Sequence, residues 1–210
     1  SWLLPVITVL IVAFVATLPA TGLKPLWDTQ HATPILLTAA VTLIVLINAA
    51  YQDGESQAVR FLQFTARVAS LALAPLVALA AYSIWLRIAQ HGLSPDRVIG
   101  LAVIAVAACY AAGYAIAAIW PGRWMKPLEI TNVLAALVAI GLATALLTPI
   151  ADPARLSVAD QLRRLRAGLV TPDAFDFNFL RFEAARYGRD ALQALARDNS
   201  SPQAQAIAAI

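Results

Sequence analysis

Five stretches of the chain stay apolar for long enough to cross a bilayer: residues 3–20, 35–51, 68–88, 98–120 and 130–150. A spanning helix needs about 17–25 such residues. Asp, Glu, Lys and His are absent from all five, and Arg87 sits in the last turn of the third. Lipid offers backbone N–H and C=O groups no partner, so each stretch must satisfy its own as a helix. The second is the shortest; its Thr38, Thr42 and Asn48 are tolerable because they can bond to the helix backbone or to a neighbour. The pattern predicts an all-α, polytopic membrane helix bundle over residues 1–150.

The connections carry helix punctuation. Thr21-Gly22 and Pro25 end the first helix, and Thr33-Pro34 opens the second. Gly92 stands where a left-handed residue would close the third. Ser94-Pro95-Asp96 then reads as N-cap, first helical residue and dipole-favoured acid of the fourth. Pro75 lies inside the third helix. Residues 57–67 place Arg60, Gln63 and Arg67 on one stripe among apolar residues. This suits a short interfacial helix feeding the third span, and an exposed extension of that span fits it too.

From 151 to 210 the pattern changes to amphipathic helix. Ser157 with Asp160 resembles a capping box, and Val158, Leu162, Leu165 and Leu169 follow at helical spacing to a stop at Gly168. Asp176 reads as the cap of a second helix carrying Phe177, Phe179, Leu180, Phe182 and Tyr187, broken or kinked at Gly188. The expectation is a small helical tail domain. Sixty residues bury only a modest core, so the tail should lean on a membrane face or on further sequence. The opening Ser1-Trp2 and the helix-like ending at Ile210 suggest a piece of a longer chain.

Composition narrows the classes. Of 210 residues, 60% are hydrophobic and 13% charged, and the mean hydropathy is +0.73. Soluble domains run at about 45–50% and about 25%. The net charge of +3 is scattered rather than striped, so nucleic acid is not an expected partner. The lone Cys109 supports neither a disulfide nor a cysteine zinc site and reads as a small packing residue. No phosphate loop, HExxH, GxSxG or calcium-loop motif is present in the sequence. No cofactor is expected and no catalytic residue is assigned. Within the spans, Tyr110, Tyr114 and Asn132 are the polar candidates, read as interhelical hydrogen bonds. Two small-residue stripes, Ala105/Cys109/Gly113/Ala117 and Ala135/Ala139/Ala143, predict close packing of the fourth and fifth helices with neighbours.

Several motifs carry a resemblance. They are Leu26-Trp27-Asp28-Thr29-Gln30-His31-Ala32-Thr33, Asn48-Ala49-Ala50-Tyr51-Gln52-Asp53-Gly54 and Leu86 through Arg97. Asp152-Pro153, Arg155-Leu156-Ser157 and Phe175-Asp176 complete the set. With these the chain resembles the bacterial multi-pass membrane family known as domain of unknown function 4153. The resemblance implies a bacterial cytoplasmic (inner) membrane and no known activity.

Five spans place loop 21–34, the third-to-fourth connection and the tail on one side. With Lys24, Arg87, Arg97, Arg155, Arg163, Arg164 and Arg166, that side outweighs the four basic residues Arg60, Arg67, Arg123 and Lys126 opposite. The positive-inside rule then puts the tail in the cytoplasm. A candidate polar cluster on that face comprises Trp27, Asp28, His31, Arg87, His91, Asp96, Arg97, Asp152 and Arg155. Such a cluster could bind a lipid headgroup or polar substrate, or dock the tail by ion pairs. Local roles also account for its members one by one: Asp96 at a helix N-terminus, Arg87 snorkelling, Asp152-Pro153 at a helix exit. Asp28 and His31, three apart, would be two metal ligands or an acid/base pair, against a plain interfacial loop anchored by Trp27.

Two functional readings stay open. One is a non-catalytic membrane module that packs with further helices and presents its tail to a protein partner. The other is a transporter or lipid-handling enzyme with its polar site on the tail-side membrane face.

Overall fold

The computed structural model describes residues 2–24, 26, 29, 31–51, 60–119 and 127–197. Its helices are α1 (Leu3–Thr21), α2 (Ala32–Tyr51), α3 (Arg60–His91), α4 (Pro95–Ile119), α5 (Pro127–Leu146), α6 (Pro153–Arg166) and α7 (Ala185–Arg197). A 3-10 turn (Pro172–Ala174) and a π-helical turn (Phe179–Glu183) lie between α6 and α7. The described residues contain no strand. Helices α1 to α5 are all long and apolar enough to cross a membrane, which makes this a membrane-embedded protein with an all-α fold. Their outward positions support that assignment: Val9, Leu10, Val45, Trp85, Leu137 and Ile140 are among many large apolar side chains left exposed. Water would penalise such a surface, whereas hydrocarbon does not.

The described residues group into two compact units. One takes in the chain through Leu86 together with Gly100–Gly141; the other takes in Arg87–Ile99 together with the chain from Leu142 onward.

In the first unit each helix buries one stripe. On α1 it is Leu4, Thr8 and Ile11; on α2 it is Leu36, Ala40, Leu43 and Ile47. These i, i+3/i+4 steps keep one face inward, and α1 packs on α2. On α3 the stripe is small-rich, with Ala66, Ala69, Ser70, Leu73, Ala80 and Ser83. Thr33 donates from α2 to the Ser83 hydroxyl at 2.9 Å. On α4 the buried positions are Ile104, Ala107, Ala111, Tyr114 and Ala117. The buried stripe therefore departs from the one read from sequence over its first half: Ala105 is exposed and Cys109 half-buried, while Gly113 and Ala117 do face a neighbour. A Cβ on Gly113 would run into the Thr131 side chain, so α4 and α5 approach as closely as a missing side chain allows. On α5 Ala135 is buried but Ala143 is exposed.

Residues 60–67 form the first turns of α3, continuous with the span; residues 57–59 lie outside the described residues. At 32 residues α3 is about 48 Å long, against a hydrocarbon core of about 30 Å, so it extends beyond the core.

In the second unit Gly92 closes α3 at φ +77°, its N–H reaching the Ile88 carbonyl at 2.8 Å. Ser94 caps α4: its carbonyl accepts from Val98 at 3.0 Å and its hydroxyl from Arg97 N–H at 3.4 Å. After α5, Asp152 caps α6, accepting from the amides of Ala154 (2.9 Å) and Arg155 (3.2 Å) with Pro153 at the first position. This corrects the Ser157–Asp160 capping box. Both residues lie inside α6, where Ser157 donates to the Pro153 carbonyl and Asp160 turns elsewhere. The chain leaves α6 through Gly168 at φ +69°, and Leu169, beyond that turn, is exposed rather than part of the apolar face.

The tail core gathers Val158, Leu165, Phe175, Leu180, Ala184, Ala191 and Leu195, with Leu162, Phe179 and Tyr187 packed against it. The helix break falls at Ala184–Ala185, not at Gly188: the Ala184 amide reaches back to Phe179, and Ala185 adopts φ +49°. Gly188 lies inside α7, where any Cβ would collide with the Leu180 carbonyl. Its lack of a side chain seats α7 on the π-helical turn. Phe182 points away from the core and is exposed.

Candidate functional site

The second unit holds the densest polar chemistry. Helix α6 lies along the α3–α4 connection and grips its backbone. The Asp160 carboxylate accepts the Leu93 N–H at 2.8 Å. Gln161 Nε2 donates to the carbonyls of Leu93 (3.0 Å) and His91 (3.2 Å). Arg164 donates to the carbonyls of Gln90 (3.0 Å) and Ala89 (3.4 Å). The acceptors of Gln161 and Arg164 are mostly carbonyls that a helix C-terminus leaves unsatisfied, so these two α6 side chains cap α3 from outside, while Asp160 takes up an N–H of the turn beyond it. Gly92 is the fulcrum. A Cβ there would stand 2.7 Å from Arg164 Cδ, 2.9 Å from Asp160 Oδ2 and 3.0 Å from Gln161 Nε2. Arg97 adds a bond from the other side, donating to the Gly92 carbonyl at 2.5 Å.

Asp160 is buried. Burial alone would push its carboxyl up, but the Leu93 N–H and the hydrogen bond and charge of Arg163, with the charge of Arg164, hold it below its ordinary value. The ion pair with Arg163 spans 2.5 Å.

Beside this clamp lies an open basin of about 600 Å³, within the range of small-ligand sites. One wall comprises Gln90, His91 and Leu93 to Arg97 with Gln161 and Arg164; the other comprises Val170, Ala174, Phe175, Asp176, Phe179 and Glu183. Arginines thus stand on the connection and α6, and carboxylates on the tail segment, with Asp96 at the start of α4. The Nε of Arg164 is buried and has no hydrogen-bond partner among the described residues.

The residues expected to form a polar face divide as follows. His91, Asp96 and Arg97 line the basin. Arg87 lies close enough to Arg97 to act on its charge. Asp152 is the α6 cap, and Arg155 donates to the Ile150 carbonyl at 3.0 Å; neither lines the basin. His31 belongs to the first unit, where its Nδ1–H donates to the Thr29 carbonyl at 2.7 Å. Trp27 and Asp28 lie outside the described residues, so the Asp28–His31 pair does too. Among the described residues no three His, Cys, Asp or Glu side chains are grouped to hold a metal. Sequence reasoning missed Asp160, Gln161 and Arg164 as the grip on the connection. Only their shared face on α6 hinted at a common partner.

The first unit contains a second polar feature. Asn48 on α2 donates to the Tyr114 hydroxyl on α4 (2.5 Å), Tyr114 donates to Asn132 Oδ1 on α5 (2.8 Å), and Asn132 donates back to Asn48 Oδ1 (2.6 Å). Each residue gives one bond and takes one, closing a ring across three spans. One turn along, Tyr51 on α2 donates to Glu129 on α5 at 2.8 Å. Glu129 precedes the apolar stretch read from sequence but falls in the first turn of α5.

The family match covers residues 3–197 and has the description Domain of unknown function (DUF4153). The chain belongs to this family. No curated protein and no solved structure matches it. Membership in DUF4153 agrees with the motifs at Asn48–Tyr51, Leu86–Arg97 and Asp152–Ser157, and the structure gives several of them work: Asn48 in the ring, Gly92 and Leu93 under α6, Asp152 as a cap.

Proposed function

We propose that this DUF4153 chain is a non-catalytic module of the bacterial cytoplasmic membrane. It mounts a helical tail on the ends of two spans and presents that tail, on the cytoplasmic side, to a protein partner. The observation that carries the reading is the grip of Asp160, Gln161 and Arg164 on backbone groups of residues 89–93. These three side chains hold the tail in place, and a held tail is a presentation surface rather than a tether. Exposed Leu169 and Phe182 give that surface apolar contact points.

In-cell photo-crosslinking from position 182 tests it. One defined protein adduct, lost in the Asp160→Ala, Arg164→Ala double variant, is the expected result. Absence of an adduct while the tail stays docked overturns the reading. A phosphatase fusion after Asp198 that is active in the periplasm reverses the orientation. The alternative, transport or lipid chemistry at a polar face, draws on the basin, and turnover of a bound small molecule would establish it.

A further inference from the structure

We propose that the basin between the α3–α4 connection and the tail binds a zwitterionic phosphoamine, a phosphate ester bearing a primary ammonium. This inference rests on the docking of α6 just described, because the two walls belong to the two docked parts.

The recognition chemistry follows from the lining. Arg97 uses one donor on the Gly92 carbonyl, and a guanidinium carries five. Arg164 retains a buried Nε with no partner among the described residues. Arg97 bonds the Gly92 carbonyl and the Arg164 stem lies against Gly92, so the two like charges stand near one another, with the Asp96 carboxylate also acting on Arg97. A phosphate beside them would relieve that repulsion and take up donors that Arg97 has left, in the geometry guanidinium groups favour. The tail segment brings Asp176 and Glu183 to the same lining. Asp176 already accepts the Phe179 N–H at 3.0 Å, whereas Glu183 is exposed and available to an ammonium. A purely anionic ligand would meet these carboxylates unfavourably, and a simple cation would meet the arginines. A ligand of both signs matches a lining that holds both arginines and carboxylates. Phe175 and Phe179 supply apolar surface between them. Gln90 to Arg97 connect two spans in sequence, so a membrane lipid headgroup is one source of this chemistry; a soluble phosphoamine carries the same two charges.

The test uses the full chain in detergent, titrated with phosphatidylethanolamine or phosphatidylglycerol of matched acyl chains, with bound lipid counted by native mass spectrometry. The two lipids share the phosphate and differ in the ammonium. One site preferring phosphatidylethanolamine by about tenfold is expected, the scale of a single charge-assisted hydrogen bond. Glu183→Gln, a conservative change at an exposed position, should bring the two lipids to near-equal affinity. Equal affinities in the unaltered chain, or a preference that survives Glu183→Gln, overturn the proposal. Competition by O-phosphorylethanolamine identifies the source: displacement of the lipid means the headgroup chemistry suffices in solution, and no displacement means the ligand is the membrane lipid. Hydrogen exchange at the Leu93 amide runs alongside. Fast exchange in the unaltered chain reports failure of the docking, whereas a protected amide with no lipid preference reports failure of the basin alone.

Discussion

Asp160 accepts the backbone N–H of Leu93 at 2.8 Å across 67 positions of sequence, joining the middle of α6 to the turn between two spans. The bond is charge-assisted and part-buried, so each partner depends on the other. Asp160→Ala leaves the Leu93 N–H without its acceptor and is expected to cost about 1–3 kcal/mol. Hydrogen exchange at residues 88–97 should rise together with that of α6. Faster exchange in α6 alone would mean the two do not share this contact.

The same carboxylate sets a pH dependence. Its value in the folded protein lies below the ordinary 3.8, so the folded state binds the proton less readily than the unfolded chain. The stabilisation is therefore fully present above that ordinary value and is lost as pH falls through the lower folded value. Protection of the Leu93 amide should be flat from pH 7 to pH 5, decline in the acid range below 3.8, and become insensitive to pH there in Asp160→Asn.

Gly92→Ala and Gly168→Ala separate backbone strain from packing. Both glycines are left-handed, at φ +77° and +69°, but a Cβ at Gly168 meets nothing within 4 Å while one at Gly92 meets three α6 side chains. Gly168→Ala should cost only the left-handed penalty, about 1–2 kcal/mol. Gly92→Ala should cost more, since Arg164 and Asp160 must move. Equal shifts in thermal melting would show that α6 does not rest on Gly92.

The Asn48–Tyr114–Asn132 ring predicts coupling between spans. Polar pairs within membrane bundles average about 0.6 kcal/mol and reach about 1.7. A double-mutant cycle on Asn48→Leu and Asn132→Leu should give a value toward the upper end, because each single change also strands a Tyr114 bond. Additive effects would deny the closed ring.

At Gly113 the prediction is steric. Gly113→Ala places a methyl against Thr131 and should destabilise by about 1–3 kcal/mol, the range of overpacking. Thr131→Gly in the same chain should recover most of that loss in detergent melts. A Gly113→Ala variant as stable as the parent would remove the close α4–α5 approach.

Much of this protein is written locally. The five spans, the left-handed stop at Gly92 and the Ser94-Pro95 opening of α4 follow from rules that act within a few residues: bilayer length, backbone sterics and helix-end hydrogen bonding. Tyr110, Tyr114 and Asn132 were legible as candidates for interhelical hydrogen bonds, and Asn48 as a residue able to bond to its own helix or to a neighbour. The closure of Asn48, Tyr114 and Asn132 into a ring was not, since it depends on which faces of α2, α4 and α5 meet. The departure of the buried stripe on α4 has the same origin: alanine is frequent on every face, and only the neighbouring helix decides which alanines are covered. Asp160 shows the limit most plainly. By spacing it belonged to Ser157 as a cap, yet Asp152, before the helix begins, takes that role and leaves Asp160 for Leu93. Sequence determined where the helices run and what they exclude, because those forces are local or set by the solvent. Tertiary structure alone decided which polar groups meet, because a hydrogen bond between distant residues depends on packing geometry that no short stretch of chain encodes.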